Sequence, residues 1–285
     1  MDSYTELSFE ADTATQELLI AELSMLSFEN FTQEENLLMA YALTTPYLLE
    51  KTETEEIIAK YGVKLLSVKV IANNVNWNEK WEENFEPIFI GNEIYVRALF
   101  HEQRNGFKHE IIIQPKMSFG TGHHETTQLM MELMLEQDFS GSACLDMGCG
   151  TGVLAILAEQ LGALSIVAID HDEWCFENTK ENFDTNNIQY AMAILGDVRA
   201  LSEASFQEGW ARYTKRIILS NITKNYNLEN LGSYHNISNQ GGVIILSGFY
   251  ESDLQDLRNE AESQKLKFVK SKTKNNWCAA VFIQQ

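Results

Sequence analysis

The chain has 285 residues, with 41 acidic against 21 basic side chains, a formal charge of −20 and a pI near 4.6. A surface this acidic repels phosphate backbones and anionic bilayers, which argues against nonspecific nucleic-acid binding and membrane attachment and favours a cationic partner. The opening MDSYTELSFEAD has no basic start or long apolar run, and no window reaches the ~18 apolar residues of a membrane span, so the expected compartment is the cytoplasm.

Near the start, Thr5, Leu7 and Phe9 alternate with Glu6, Ser8 and Glu10, which predicts a half-buried strand. Leu19, Leu23 and Leu26 follow helical spacing. Strand-like runs come next around Phe28 to Phe31 and Leu37 to Leu43, then a helix from Tyr47 to Tyr61 and a strand through Leu66, Val68 and Val70. This β-α-β-β-α-β order predicts a small ferredoxin-like α+β unit over residues 1–72, and a second unit over 73–285. At its entry, Trp77, Trp81 and Phe85 recur every four residues and would share one face of a helix.

From Ser142 onward, ACLDM, SIVAID, YAMAIL, RIILSN and GVIILSG are short apolar runs, each followed by a helical segment. That alternation predicts an α/β unit with a parallel sheet covered on both faces. The final runs, KFVKSK and NNWCAAVFIQQ, predict an antiparallel pair at its edge. The four cysteines, Cys144, Cys149, Cys175 and Cys278, form no C-x-x-C pair, so free thiols are expected. His123, His124 and Glu125 lack a third ligand at suitable spacing, and no metal is expected.

The first strand of the series runs into CLDMGCGTG, with Gly148, Gly150 and Gly152 opening a helix near Val153. A dinucleotide loop would read G-x-G-x-x-G, and Asp146 would repel a pyrophosphate. At about 4 Å and an effective dielectric near 20, like charges cost roughly 4 kcal/mol. The charge suits a ligand with cationic groups and no phosphate, and S-adenosyl-L-methionine has an ammonium and a sulfonium. Asp146 would then help bind the ammonium, directly or through water. Asp170, at the second strand's end, is placed for the ribose hydroxyls, and Asp197, at the third, for the adenine amino group.

Upstream and downstream of this loop, the chain resembles the PrmA family, methyltransferases of the eleventh protein of the large ribosomal subunit. The resemblance rests on F-G-T-G-x-H-x-T-T (Phe119 to Thr127), D-x-G-x-G-[ST]-G (Asp146 to Gly152), Asp170, SNI (Ser220 to Ile222), Ser247-Gly248 and Trp277. Trp77 and Trp81 stand where that family's catalytic domain begins. It implies a class I (Rossmann-like) methyltransferase fold with a seven-stranded sheet, and a small N-terminal domain that recognises the protein substrate. It also implies cofactor contacts at Thr127, Gly148, Asp170 and Asn221. With the loop readings, the candidate cofactor-binding residues are Phe119, Thr127, Asp146, Gly148, Gly150, Asp170, Asp197 and Asn221. Ser220 departs from the usual alanine, and TKNYN after Ile222 departs from the commoner small and apolar residues, which puts the substrate pocket in question.

The implied reaction is methylation of lysine or N-terminal amines on a basic ribosomal protein. Asn221 is the candidate for positioning the amine, with contact to the cofactor's methionine part as the alternative. Other readings are methylation of another protein or small-molecule amine, or a module that binds the cofactor without turnover. A nicotinamide dehydrogenase is opposed by Asp146 and the glycine spacing. Oligomeric state is left open.

Overall fold

The structure, a computed structural model, describes residues 3–24, 26–34, 36–71, 85–114 and 120–285. The chain divides into two units, Met1–Glu83 and Asn84–Gln285.

In the first unit, Leu7 and Phe9 lie on one face of strand β1 (Tyr4–Glu10) and are fully buried. β1 runs antiparallel between β3 (Leu37–Leu43) and β4 (Lys64–Ile71), with β2 (Phe28–Glu34) beyond β3, so the sheet order is β2-β3-β1-β4. Helix α1 (Thr13–Leu23) starts at Asp12, whose carboxylate accepts the Thr15 N–H at 2.8 Å. Its Leu19 and Leu23 join Leu7, Phe9 and Leu38 in the core, while Leu26 lies past the helix end.

The expected single helix from Tyr47 to Tyr61 is two helices, α2 (Thr44–Leu49) and α3 (Lys51–Tyr61). The break falls at Glu50, with φ −102° and ψ 15°. Its carboxylate accepts the Ser27 N–H at 2.8 Å and the Ser27 hydroxyl at 2.5 Å, tying the break to the turn before β2.

The second unit opens with a small sheet of β5 (Ile88–Ile90), β6 (Ile94–Arg97) and β7 (His109–Ile112), followed by α4 (Glu125–Met134). The main sheet takes β8 (Ala143–Met147), β9 (Ser165–Asp170), β10 (Ala191–Leu195), β11 (Arg216–Asn221), β12 (Val243–Tyr250), β13 (Leu266–Lys274) and β14 (Trp277–Gln284). Its seven strands run in the order β10-β9-β8-β11-β12-β14-β13. The first five are parallel, and β14 pairs antiparallel with β12 and β13, as the edge hairpin was expected to.

Alternation along β8 sends Cys144 to one face and Leu145 to the other, and each face buries its own core. One core packs under α4 and α5 (Val153–Gln160), together with Phe183 of α6 (Glu173–Thr185). The other takes Trp210 of α7 (Ala204–Trp210), Tyr234 of α8 (Lys224–Ile237) and Leu257 of α9 (Leu254–Ser263). The chain builds outward from β8 to β10, then crosses back to β11 on β8's other side. Such a reversal opens a crevice at the carboxyl ends of the strands.

All four cysteines are free thiols, three of them buried and Cys175 partly exposed. Trp77 and Trp81 lie outside the described residues. Phe85, third of that expected face, is outside any helix and packs edge-on to His123, with centroids 4.6 Å apart. Among the described residues, no group of three or more His, Cys, Asp or Glu side chains could hold a metal.

Candidate functional site

A cavity of about 670 Å³ occupies this crevice, within the range of small-molecule sites. Its walls come from successive strand ends: Gly148 and Gly150 after β8, Asp170 of β9, Asp197 after β10, Asn221 of β11, Gly248 of β12 and Trp277 of β14.

The glycine turn is demanded by packing. Gly148 has φ +68°, and a Cβ there would lie 2.6 Å from two side-chain carbons of Ile222. Gly248 is tighter still, since its Cβ would fall 1.7 Å from the Ile222 carbonyl oxygen. Ile222 thus wedges between the turns after β8 and inside β12, and holds both against the cavity.

Asp170 is only 7% exposed. It accepts the Gly150 N–H at 2.9 Å and the Asp172 N–H at 3.0 Å, so one carboxylate anchors the glycine turn and still borders the cavity. Asp197 is more open. Arg199 grips it through the backbone N–H and Nε at 2.9 Å each and through Nη2 at 2.7 Å, and this guanidinium holds the Asp197 carboxyl below its usual range. The adenine-amine role expected of Asp197 therefore has to share a carboxylate already engaged on both oxygens.

Asp146, expected to help bind the ammonium directly or through water, lies deeper than the cavity wall. It is 1% exposed, is absent from the cavity wall, and accepts the Ala155 N–H at 3.1 Å in the first turn of α5. Burial raises its pKa to about 7. A cation bound in front of the turn would draw the carboxyl back toward its charged form through the turn itself. The Asp146 carboxyl thus lies one layer behind the cavity wall.

Thr127 is also fully buried and sits behind the wall. It accepts the Asn221 Nδ2–H at 3.2 Å. That bond fixes the amide's orientation and leaves Asn221 Oδ1 buried with no partner among the described residues. A buried acceptor without a donor costs about 1–3 kcal/mol, so this oxygen at the cavity wall has its accepting capacity unused. Phe119 lies outside the described residues. The neighbouring Gly120 carbonyl accepts the Thr151 hydroxyl at 2.6 Å, which ties the upstream motif to the glycine turn.

α4 begins one residue before Thr126, and its N-cap is His124. The His124 Nδ1 accepts the Thr126 N–H at 3.3 Å and so caps the helix. The departures from the family pattern fit one another. The Ser220 hydroxyl donates to Asn227 Oδ1 at 2.7 Å and lies 3.2 Å from the Tyr234 hydroxyl, while Asn227 Nδ2 donates to the Ser247 carbonyl at 2.8 Å. Ser220 thus faces α8 rather than the cavity. Tyr226, also in the departing stretch, does line the cavity, and so do Thr223 and Cys175. Sequence reasoning flagged Thr223 and Tyr226 only as part of that stretch and passed over Cys175. Their position just after a strand end was the available signal.

The site suits the expected cofactor: two carboxylates for ribose and base, turns in which Cβ atoms would clash, an uncharged apolar floor at Met147, Ile169 and Ile222, and an unpartnered amide oxygen.

Residues 6–285 match the profile of the family described as ribosomal protein L11 methyltransferase (PrmA). A curated protein of that description from Porphyromonas gingivalis is 40% identical, covering 97% of this chain and 95% of its own length. One from Chlorobaculum parvum is 32% identical over 98% and 96%. The crystal structure of a ribosomal protein L11 methylase from Lactobacillus delbrueckii subsp. bulgaricus shares the fold, with a TM-score of 0.62 at 21% identity, over 70% of this chain and all of that one. The chain belongs to the ribosomal protein L11 methyltransferase (PrmA) family.

Proposed function

We propose that this chain is an S-adenosyl-L-methionine-dependent methyltransferase that adds methyl groups to lysine side-chain and/or N-terminal amines of ribosomal protein L11, in the cytoplasm. Family membership supports the reaction class. The observation that carries the residue assignments is the buried, unpartnered Asn221 Oδ1 at the cavity wall.

In this reading Gly148, Gly150, Asp170 and Asp197 hold the cofactor, with Thr127 and Asp146 supporting them from behind. Bound there, S-adenosylmethionine supplies a methyl group on a positively charged sulfur. Asn221 Oδ1 accepts an N–H from the incoming amine and aims its lone pair. An amine with an ordinary pKa near 10.4 loses its proton more readily beside a cation in a partly dry site, so no dedicated general base is required.

Residues 1–72 serve to recognise the substrate. Its first 60 residues carry 13 acids against Lys51 and Lys60, a charge balance that steers a basic protein. The association rate with L11 should then fall about tenfold between low and high salt; a flat profile would rule steering out. The reaction itself is tested by incubating the protein with labelled cofactor and the separated large-subunit proteins. Label on the L11 band, in mass steps of one methyl, is expected, and label elsewhere or nowhere overturns the proposal.

A further inference from the structure

The stretch TKNYN, where the chain departs from its family's commoner small and apolar residues, puts a phenol into the cavity wall. Tyr226 lies in the first turn of α8. That turn is held firmly. Asn227, the next residue, is fully buried and bonds to Ser220 and to the Ser247 carbonyl, while Asn230 Nδ2 donates to the Tyr226 carbonyl at 2.8 Å. The Tyr226 ring packs, with Ile222 and Val198, on the edge of the core that contains Tyr234 and Leu257.

Although it follows β11, Tyr226 faces the end of the cavity where β9 and β10 finish. Burial, and beyond it the charges of Asp197 and Asp170, raise the pKa of its hydroxyl against a lowering contact from the Val198 N–H, so the phenol keeps its proton. That proton matters because of its neighbours. Ionised Asp170 and Asp197 can only accept hydrogen bonds. The Gly196 N–H, also at this end, is engaged by the Asp170 carbonyl at 2.8 Å. His171 has Nδ1 3.5 Å from Asp170, and its side chain is 86% exposed. Two carboxylates suit the ribose hydroxyls and the adenine amino group, which donate. They offer nothing to the adenine ring nitrogens, which accept. A protonated phenol does.

We propose that Tyr226 is a base-specificity residue of the cofactor site, its hydroxyl donating a hydrogen bond to a ring nitrogen of the adenine. This rests on the reading of the cavity as an S-adenosyl-L-methionine site with its adenosine at Asp170 and Asp197. The segment that carries Asn221 at the acceptor end then also holds the cofactor at the other end. The departure from the family pattern at this position falls on cofactor recognition rather than on the substrate pocket.

The test measures calorimetric binding of S-adenosyl-L-homocysteine, which is the cofactor without its methyl group, and of its 1-deaza, 3-deaza and 7-deaza analogues, each lacking one ring nitrogen of the adenine. Wild type is compared with Tyr226→Phe, which keeps the ring and loses only the hydroxyl. Tyr226→Phe should bind S-adenosyl-L-homocysteine about fivefold more weakly than wild type, the size of one hydrogen bond between neutral groups. That loss should vanish for the analogue lacking the nitrogen that the phenol meets, and persist for the other two. Full affinity for that one analogue, with an unchanged melting temperature, also shows the variant to be folded. In methyl transfer to L11 the same factor should appear in the KM for S-adenosyl-L-methionine, with kcat unchanged. An unaltered affinity for S-adenosyl-L-homocysteine would overturn the proposal. So would an equal loss on all four compounds, which would set the hydroxyl against the ribose or Asp197 instead of the base. A wild type that binds none of the four would overturn the cofactor reading and this one together.

Discussion

On the β10-β9-β8 side of the cavity the walls are carboxylates held by backbone N–H groups. On the β11-β12-β14 side they are an amide, a wedge of isoleucine between two glycines, and an indole. The first side offers charge and directed hydrogen bonds, each set by residues within a few positions of a strand end. The second offers shape, and shape depends on contacts between distant parts of the chain. The two sides should therefore fail differently: by loss of cofactor on one, and by loss of packing or of acceptor discrimination on the other.

The largest effect is expected where shape leaves no room. Gly248→Ala would place a Cβ 1.7 Å from a backbone oxygen at φ +86°. Backbone must move, at a cost of about 4 kcal/mol or more and a drop in melting temperature of about 10 °C. Gly241→Ala is the control, since Gly241 has a similar φ of +82° with nothing within 4 Å of its Cβ. It carries conformational strain alone, about 1–2 kcal/mol. Equal melting temperatures for the two variants would mean that Ile222 does not wedge the site.

On the other side, Asp170→Ala removes an anchor of the glycine turn together with a cavity carboxylate. Two charge-assisted bonds are lost, and the dissociation constant for S-adenosylmethionine should rise about a hundredfold. Asp197→Ala should cost less than about tenfold, because that carboxylate is partly exposed and already engaged by Arg199. Calorimetry on both variants checks the ranking, and a reversed order would place the ribose at Asp197.

Asp146 gives the comparison a pH dependence. Its folded pKa, about 7, lies above the ordinary 3.8 because burial disfavours the charged form. Between those values the folded state holds a proton that the unfolded state has lost, so this group's stabilisation is complete at low pH and disappears as pH rises to about 7. Asp146→Asn should already be slightly more stable than wild type near pH 5, and without ligand that advantage should grow by about 2–3 kcal/mol by pH 8. Melting curves of both proteins at the two pH values decide it; a difference between variant and wild type that does not change with pH would show Asp146 to be charged throughout.

Much of the carboxylate side was legible in the sequence. The strand-end acids and the G-x-G-x-G spacing are local patterns, and they fall where the parallel strands end. Helix boundaries set by side-chain capping were less visible: His124 caps α4, and Glu50 splits a helix through a bond to Ser27. The depth of Asp146 was hidden too. Alternation places a residue on one face of a strand, but the helix packed on that face decides whether it reaches the cavity. The packing of Trp277 on Tyr250 and edge-on to His124 joins three separate stretches of chain, and no local period announces it.

Ser220 offers the finest test, because it sits on β11 directly before Asn221 yet belongs to neither wall. Its hydroxyl joins Asn227 and Tyr234 in a fully buried network that reaches the Ser247 carbonyl beside Gly248. An alanine here would leave Asn227 Oδ1 and the Tyr234 hydroxyl short of a partner, at about 1 kcal/mol. Ser220→Ala should therefore lower the melting temperature by a few degrees, while cofactor affinity and methyl transfer to L11 stay within about twofold. Adding Asn227→Ala should cost less in the Ser220→Ala background than in wild type, since the two side chains satisfy each other, and a double-mutant cycle measures that coupling. Were methyl transfer to fall while melting stayed unchanged, the serine would act on the acceptor side of the cavity, and the separation of wall from support drawn at Asn221 would have to move inward by one residue.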